Sequence, residues 1–425
     1  MIEKNPSSIQ SNQLPNGVRV VTETVTHVES VAIGIWIGSG SSHEPEEQAG
    51  AMHFIEHMLF KGTERRTAHA LADAIESRGG QINAFTSKEA TCYEARLMAE
   101  DCELGFDVLG DMLTCSLFAP EEIVNEKQVV LEEIRMVEEN PEDCVHDLFE
   151  ATLYPDHPLG RPIAGSLESV QNLTREGILD TIRALYTPDR VVVAVAGNIS
   201  SAQVEEYVTR WLHKLEGIAK PVHNTPLVPS CKSGNIVKRD AEQVQFVIGG
   251  PAYNRTDARR YALSLLNNVL GGNMSSRLFQ EVREKRGLAY SIGTYYRAYE
   301  PGGIYCAYGG TNPSTLDETI SVIKTEYLKV CESGLTEEEL TKAKQQIRGV
   351  LALNMESMNA RMNRLGESLI THNRVLSLNE IMSAYECVTN EQIIESARYA
   401  LNPETLTLAT VGPPIKSQRK VKTLK

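Results

Sequence analysis

The sequence predicts an α+β fold made of two similar halves, and three observations carry that prediction. At 425 residues the chain exceeds one ordinary domain and suits two of about 200. Its strand-and-helix pattern breaks at 216–233, "EGIAKPVHNTPLVPSCKS", which has three prolines and little periodicity, and then restarts. Sliding the first half by 211 positions pairs "WIGSGSSHEP" with "VIGGPAYNRT" and "MLFKG" with "VLGGN", as an internal duplication would. The expected division is a first domain over 1–217, a linker over 218–232 and a second domain over 233–425.

In chain order, "LPNGVRVVTETV" and "VESVAIGIWIGSGS" are β-branched runs bounded by Asn-Gly and Gly-Ser turn signals, so two strands are expected. A helix follows over about 47–61 and stops at Gly62. A second begins at Thr67, a suitable N-cap, and ends at Gly79-Gly80. "QINAFTS" and "ATCYEARLMA" alternate like a strand pair, and helical periodicity covers about 101–116 and 120–139. "RVVVAVAGNI" reads as a buried strand and "SAQVEEYVTRWLHKL" as a helix. After the break come the strand "VQFVIGGPAY", the helix "DARRYALSLLNNVLGG" and further alternation to a closing strand, "LTLATVG".

Composition narrows the partners. No apolar run reaches the ~18 residues of a membrane span, and the start carries no secretory or transit signal. Eight cysteines are scattered without a C-x-x-C pair, which fits small core residues in a reducing cytosol. A net charge of −14 disfavours nucleic acid and anionic membrane.

The chemistry concentrates at 53–57, "HFIEH". On a helix, residues four apart share a face, so His53 and His57 can reach one cation. Zn²⁺ accepts neutral histidine nitrogens, and its catalytic sites use three protein ligands with one position open. Glu56 projects beside them and can take a proton from water without being a ligand. The plainer reading is an amphipathic helix that happens to carry two histidines. Deciding between them requires a third ligand, and "PEEIVNEKQVVLEEIRMVEENPED" offers several carboxylates. Ile123, Val130, Ile134 and Val137 mark its core stripe, with Glu126 and Glu133 seven apart on a neighbouring face. Periodicity alone does not choose among them.

H-x-x-E-H is the inverzincin motif. Together with "HFIEHMLFKGT", "GGQINAFTSKEATCYEA", "EKQVVLEEIRMVEENPED", "HPLGRPIAGS" and "GGNMSSRLFQEVREKRGLAYSI", it makes the chain resemble the pitrilysin family of zinc metallopeptidases essentially end to end. The resemblance is closest to the branch of the mitochondrial processing peptidase β-subunit and its bacterial relatives. It implies two halves that are each a sheet backed by helices, and one Zn²⁺ per chain held by His53, His57 and Glu133. It further implies Glu56 as general base and Glu126 as the carboxylate that orients a ligating histidine. "NAFT" would be an edge strand on which Asn83, Ala84 and Phe85 pair with substrate backbone. Arg283 and Tyr290 would hold substrate carbonyls and stabilise the oxyanion, and Asp143 and Asp147 would recognise arginine near the cleavage site, with Glu142 an alternative to Asp143. Arg277, 13 positions from Tyr290, has the wrong spacing for that pair.

The activity implied is zinc-dependent endopeptide hydrolysis of short or unfolded peptides, in the cytoplasm. A homodimer is expected, with Arg283 and Tyr290 acting in trans. The rival is a non-catalytic core or partner subunit of the same fold. Such relatives lose metal ligands, and under the 211-residue offset Ser264, Asn267 and Asn268 stand where the first half has His53, Glu56 and His57.

Overall fold

The β-branched runs pair into two mixed sheets. The computed structural model describes residues 8–219, 225–402 and 406–415; the expected linker over 218–232 therefore falls partly outside the described residues. The first sheet comprises β1 (Ser8–Gln13), β2 (Arg19–Thr24), β3 (Ser30–Ile37), β4 (Gln81–Thr86), β5 (Thr91–Met98) and β6 (Val191–Gly197), in the order β1-β2-β6-β3-β5-β4. The second comprises β7 (Ser233–Val237), β8 (Val244–Ala252), β9 (Ala289–Ala298), β10 (Gly303–Thr311) and β11 (Thr407–Gly412), in the order β7-β11-β8-β10-β9. Without β1 the two orders are the same. In each, one pair is parallel (β2 with β6, β7 with β11) and the remaining neighbours are antiparallel. The duplication expected from the sequence is thus present in the strand topology, with β4 and β9 as corresponding edge strands.

Both faces of each sheet are covered, which is why β6, "VVVAVAG", is buried at every position rather than alternating. On one face of the first sheet, Val20, Ile33, Ile35, Val193 and Val195 meet helices α1 (Ala51–Leu59) and α3 (Cys102–Cys115). In chain order between these two comes α2 (Ala68–Glu76), which packs on α3 and β4 and whose N-cap Thr67 accepts a hydrogen bond from the Ala70 amide, as the sequence expected. On the other face, Val21, Ala32, Trp36, Val192 and Ala194 meet Met358, Met362, Leu365 and Leu369 of the helix Met358–His372. That approach is close: a Cβ on Gly366 would lie 2.3 Å from the Trp36 indole nitrogen.

The second sheet repeats the arrangement. Phe246, Ile248, Tyr305 and Ala307 face one cluster of helices, while Val247, Ile304, Cys306, Ala409 and Val411 face α5 (Pro141–Leu153) through Val145, Phe149 and Leu153. Packing therefore divides the chain otherwise than a cut between 217 and 233. Arg135–Arg161, with α5, belongs to the second unit, and Val350–Val375, with the helix Met358–His372, belongs to the first. Each sheet takes the cover of one face from the opposite half of the chain. The helix α4 (Pro120–Glu139) leads from the first unit to this exchange, and Asn140 and Pro141 start α5 as N-cap and first helical residue.

Candidate active site

Helix α1 starts abruptly, and the start is built from outside it. Gly50 has φ of 93°, in the left-handed region, and a Cβ there would lie 2.5 Å from the Ala164 carbonyl oxygen, so only glycine fits. The buried Glu44 carboxylate accepts hydrogen bonds from the Gly50 and Met52 amides at 2.8 and 2.6 Å, satisfying N–H groups that a helix start leaves open. The helix then buries Met52, Phe54, Ile55, Met58 and Leu59. That leaves His53, Glu56 and His57 half-buried on the remaining face.

Helix α4 supplies the carboxylate that periodicity could not choose. Glu133 Oε2 lies 3.9 Å from His53 Nε2 and 3.6 Å from His57 Nε2. One donor atom from each of the three residues falls within 4.8 Å of the others, the only such group of three or more among the described residues. Ligand bonds of ~2.0–2.2 Å arranged tetrahedrally separate ligand atoms by about 3.3–3.6 Å, close to the two histidine–Glu133 separations, so the group suits a zinc ion. Protonation states fit as well. Burial, reinforced by His57, pushes His53 down to about 4, so at neutral pH it is uncharged, as a metal ligand must be. The hydrogen bond from His57 Nδ1 to Glu126 Oε1, at 2.8 Å, raises the pKa of His57, fixes its proton on Nδ1 and turns Nε2 towards Glu133.

Glu56 stands beside the triad. Burial raises its pKa, while a 2.5 Å hydrogen bond from Thr86 Oγ1 to its Oε2 pulls the other way. Thr86 ends β4, which among the described residues pairs only with β5 and so has one edge open there. Asn83, Ala84 and Phe85 lie on this edge strand; Asn83 and Phe85 are exposed, and Phe85 stands edge-on to Trp36 with centroids 5.4 Å apart. Sequence reasoning assigned no role to Thr86, Lys61 or Glu44, although the first two lie inside blocks that carried the family resemblance. A lone hydroxyl, ammonium or carboxylate has no periodic signature.

In the second unit, Arg283 sits in a short wide-turn helix, Phe279–Glu284, and Gly287 turns the chain into β9. The Arg283 guanidinium lies 4.9 Å from the Tyr290 ring centroid and 4.6 Å from that of Phe279, so the expected pair is in contact. Tyr290 is 79% exposed. Arg277 instead makes two 2.7 Å hydrogen bonds to Glu339. On α5, Asp143 is exposed and accepts from Asn140, and Asp147 lies one turn on, half-buried. Neither lines the cavity of about 210 Å³ beside Tyr290; Glu142, Val145 and His146 do, with Gln243, Gln245 and Tyr308.

Comparison with known proteins accounts for both halves. Residues 19–167 match the family described as insulinase, peptidase family M16, and residues 172–347 match the one described as the peptidase M16 inactive domain. The chain belongs to peptidase family M16. An uncharacterized zinc protease of Streptomyces coelicolor is 39% identical, covering 97% of this M16 chain and 91% of its own. YmxG, an uncharacterized zinc protease of Bacillus subtilis, is 41% identical, covering 94% and 97%. Among solved structures, a protease from Helicobacter pylori superposes with a TM-score of 0.89 at 20% identity, covering 96% of this chain and all of its own. A peptidase M16 inactive domain from Pseudomonas fluorescens also scores 0.89, at 21% identity and 96% and 98% coverage. Those structures share the M16 fold. Among the described residues no helix is long and apolar enough to cross a membrane.

Proposed function

We propose that this M16 chain is a zinc-dependent endopeptidase acting on short or unfolded peptides. The observation that carries the reading is the convergence of His53, His57 and Glu133 with a separate, half-buried Glu56 beside them. A purely structural zinc site favours four protein ligands and has no use for a spare carboxylate. The same completeness favours an enzyme over a silent partner subunit.

His53, His57 and Glu133 would hold the zinc, which when bound would supply Lewis acidity for activating water and polarising a carbonyl. The protein's own groups do the rest. His57 is kept in one tautomer by Glu126. Glu56, with one oxygen held by Thr86, takes the proton of the attacking water on the other and passes it to the leaving amine. The open edge of β4 aligns the peptide backbone through Asn83, Ala84 and Phe85, as an added strand. Arg283 and Tyr290, already in contact, hold substrate carbonyl oxygens and the developing oxyanion, and the family reading assigns them to the partner protomer of a homodimer. Asp143 and Asp147 remain the acidic groups proposed to favour arginine, with Glu142, which lines one cavity with Tyr290, able to stand in for Asp143. A cytoplasmic location fits eight free thiols.

The test is a cleavage assay on arginine-containing fluorogenic peptides together with metal analysis. The expected result is stoichiometric zinc, loss of cleavage on chelation and its return with zinc. Glu56→Gln should keep the metal and lose essentially all turnover. Undiminished cleavage in that variant would overturn the assignment.

A further inference from the structure

Lys61 contacts the carboxylate that holds His57, yet neither the motif nor the proposed reaction uses it. It follows His57 by four residues, and its amide still bonds to the Met58 carbonyl at 3.1 Å, so it continues the histidine face beyond the last turn of α1. A lysine there would ordinarily extend into water. Instead its Nζ lies 2.5 Å from Glu126 Oε2, while Glu126 Oε1 receives His57 Nδ1 at 2.8 Å. Glu126 is 3% exposed, and its two oxygens are shared between two donors, one in the last turn of α1 and one just past its end.

We propose that Lys61 is a positioning residue of the metal site, acting through Glu126 on His57. This inference rests on the zinc reading above. The terminal torsion of a glutamate is broad and roughly two-fold, so a single hydrogen bond leaves the carboxylate plane loosely set. Two donors fix it, and with it the imidazole whose Nε2 faces Glu133. The site depends on this brace because its other histidine has none: His53 Nδ1 is buried and has no hydrogen-bond partner among the described residues. The orientation of the histidine pair is therefore set from one side, through Lys61, Glu126 and His57. The ammonium also repels a dication, which works against metal binding. Lys61 is about one-third exposed, however, and water screens that repulsion more than it loosens a short hydrogen bond.

The experiment measures zinc affinity of the full chain by competition with a chromophoric chelator, with melting of the chelated proteins as a check on folding. Lys61→Met is expected to bind zinc about tenfold more weakly, at the lower end of the range for groups that orient a metal ligand. Lys61→Arg, which restores a donor to Oε2, is expected to recover most of that loss. Lys61→Met introduced on a Glu126→Gln background should cost nothing further, because the path is already cut. If Lys61→Met does not fold, Lys61→Leu replaces it. Unchanged or tighter zinc binding in the single variant overturns the inference, as does an undiminished loss on the Glu126→Gln background. A wild-type chain that binds no zinc overturns the zinc reading along with it, whereas tight zinc indifferent to Lys61 overturns this inference alone.

Discussion

Glu56 is subject to opposing influences that can be separated. Burial raises its pKa and Glu133 adds to the rise, while the Thr86 hydrogen bond and His57 lower it, and the net shift is upward. As the proposed general base, Glu56 must be ionised, so activity is expected to be lost as pH falls through this raised value. Thr86→Val removes a hydrogen bond to the charged form and so raises the pKa further. A hydrogen bond to a charged group is worth ~1.5–3 kcal/mol, which moves the acidic limb of kcat/KM about one to two pH units higher. Thr86→Ser should leave the limb where it is. A limb that stays put in Thr86→Val would show that the hydroxyl does not act on the base. At this scale the sequence was legible where spacing is local: two imidazoles and a carboxylate within five residues announce themselves. Glu133 lay on an acidic helix face with several equivalents, and only the likeness to other proteins singled it out. Thr86, 30 positions from its partner Glu56, and Lys61, far along the chain from its partner Glu126, had nothing local to mark them.

At the scale of the element, α1 matters as a rigid mount. The periodic pattern suggested a helix over 47–61, whereas the regular helix is Ala51–Leu59, preceded by a single 3-10 turn at Glu46–Gln48. The difference has a local cause: Gly50 turns the chain through the left-handed region, and Glu44 takes over the amides that a longer helix would have paired internally. The apolar stripe was readable, but a cap supplied from six to eight residues upstream falls outside the usual N-cap signature. Glu44→Ala leaves two buried N–H groups without this acceptor, and is expected to lower stability by about 2 kcal/mol in urea melts of the metal-free chain. Because the first turn of α1 carries His53, zinc affinity should fall with it. A stability loss with unaltered zinc affinity would mean that the turns bearing the histidines hold their geometry without the cap.

Across the whole molecule, the two-fold repeat of strand order was visible as a restart of the sequence pattern, but the exchange of covering helices was not. An amphipathic stripe says that a face will be buried without saying against which sheet, and α5 and Met358–His372 look like any other helices of the chain. Their placement has a consequence for dividing the protein at its proline-bearing stretch. A fragment of residues 1–217 keeps every strand of the first sheet and all of His53, Glu56, His57, Glu126 and Glu133, yet it lacks the helix that covers Val21, Ala32, Trp36, Val192 and Ala194. Burying Met358, Met362, Leu365 and Leu369 is worth about 1.5–3 kcal/mol each, a sum comparable to the ~5–15 kcal/mol that holds a whole domain together. The fragment also loses Arg361 and Arg364, which pair with the buried Glu23. It should therefore aggregate or melt without cooperativity and bind zinc poorly despite an intact ligand set, while residues 218–425, deprived of α5, should fail in the same way. Producing both fragments together should restore a soluble complex, because each carries the helix the other lacks. A cooperative melt and tight zinc binding by 1–217 alone would show that the first sheet is stable with one face bare, and that the exchanged helix only joins the halves.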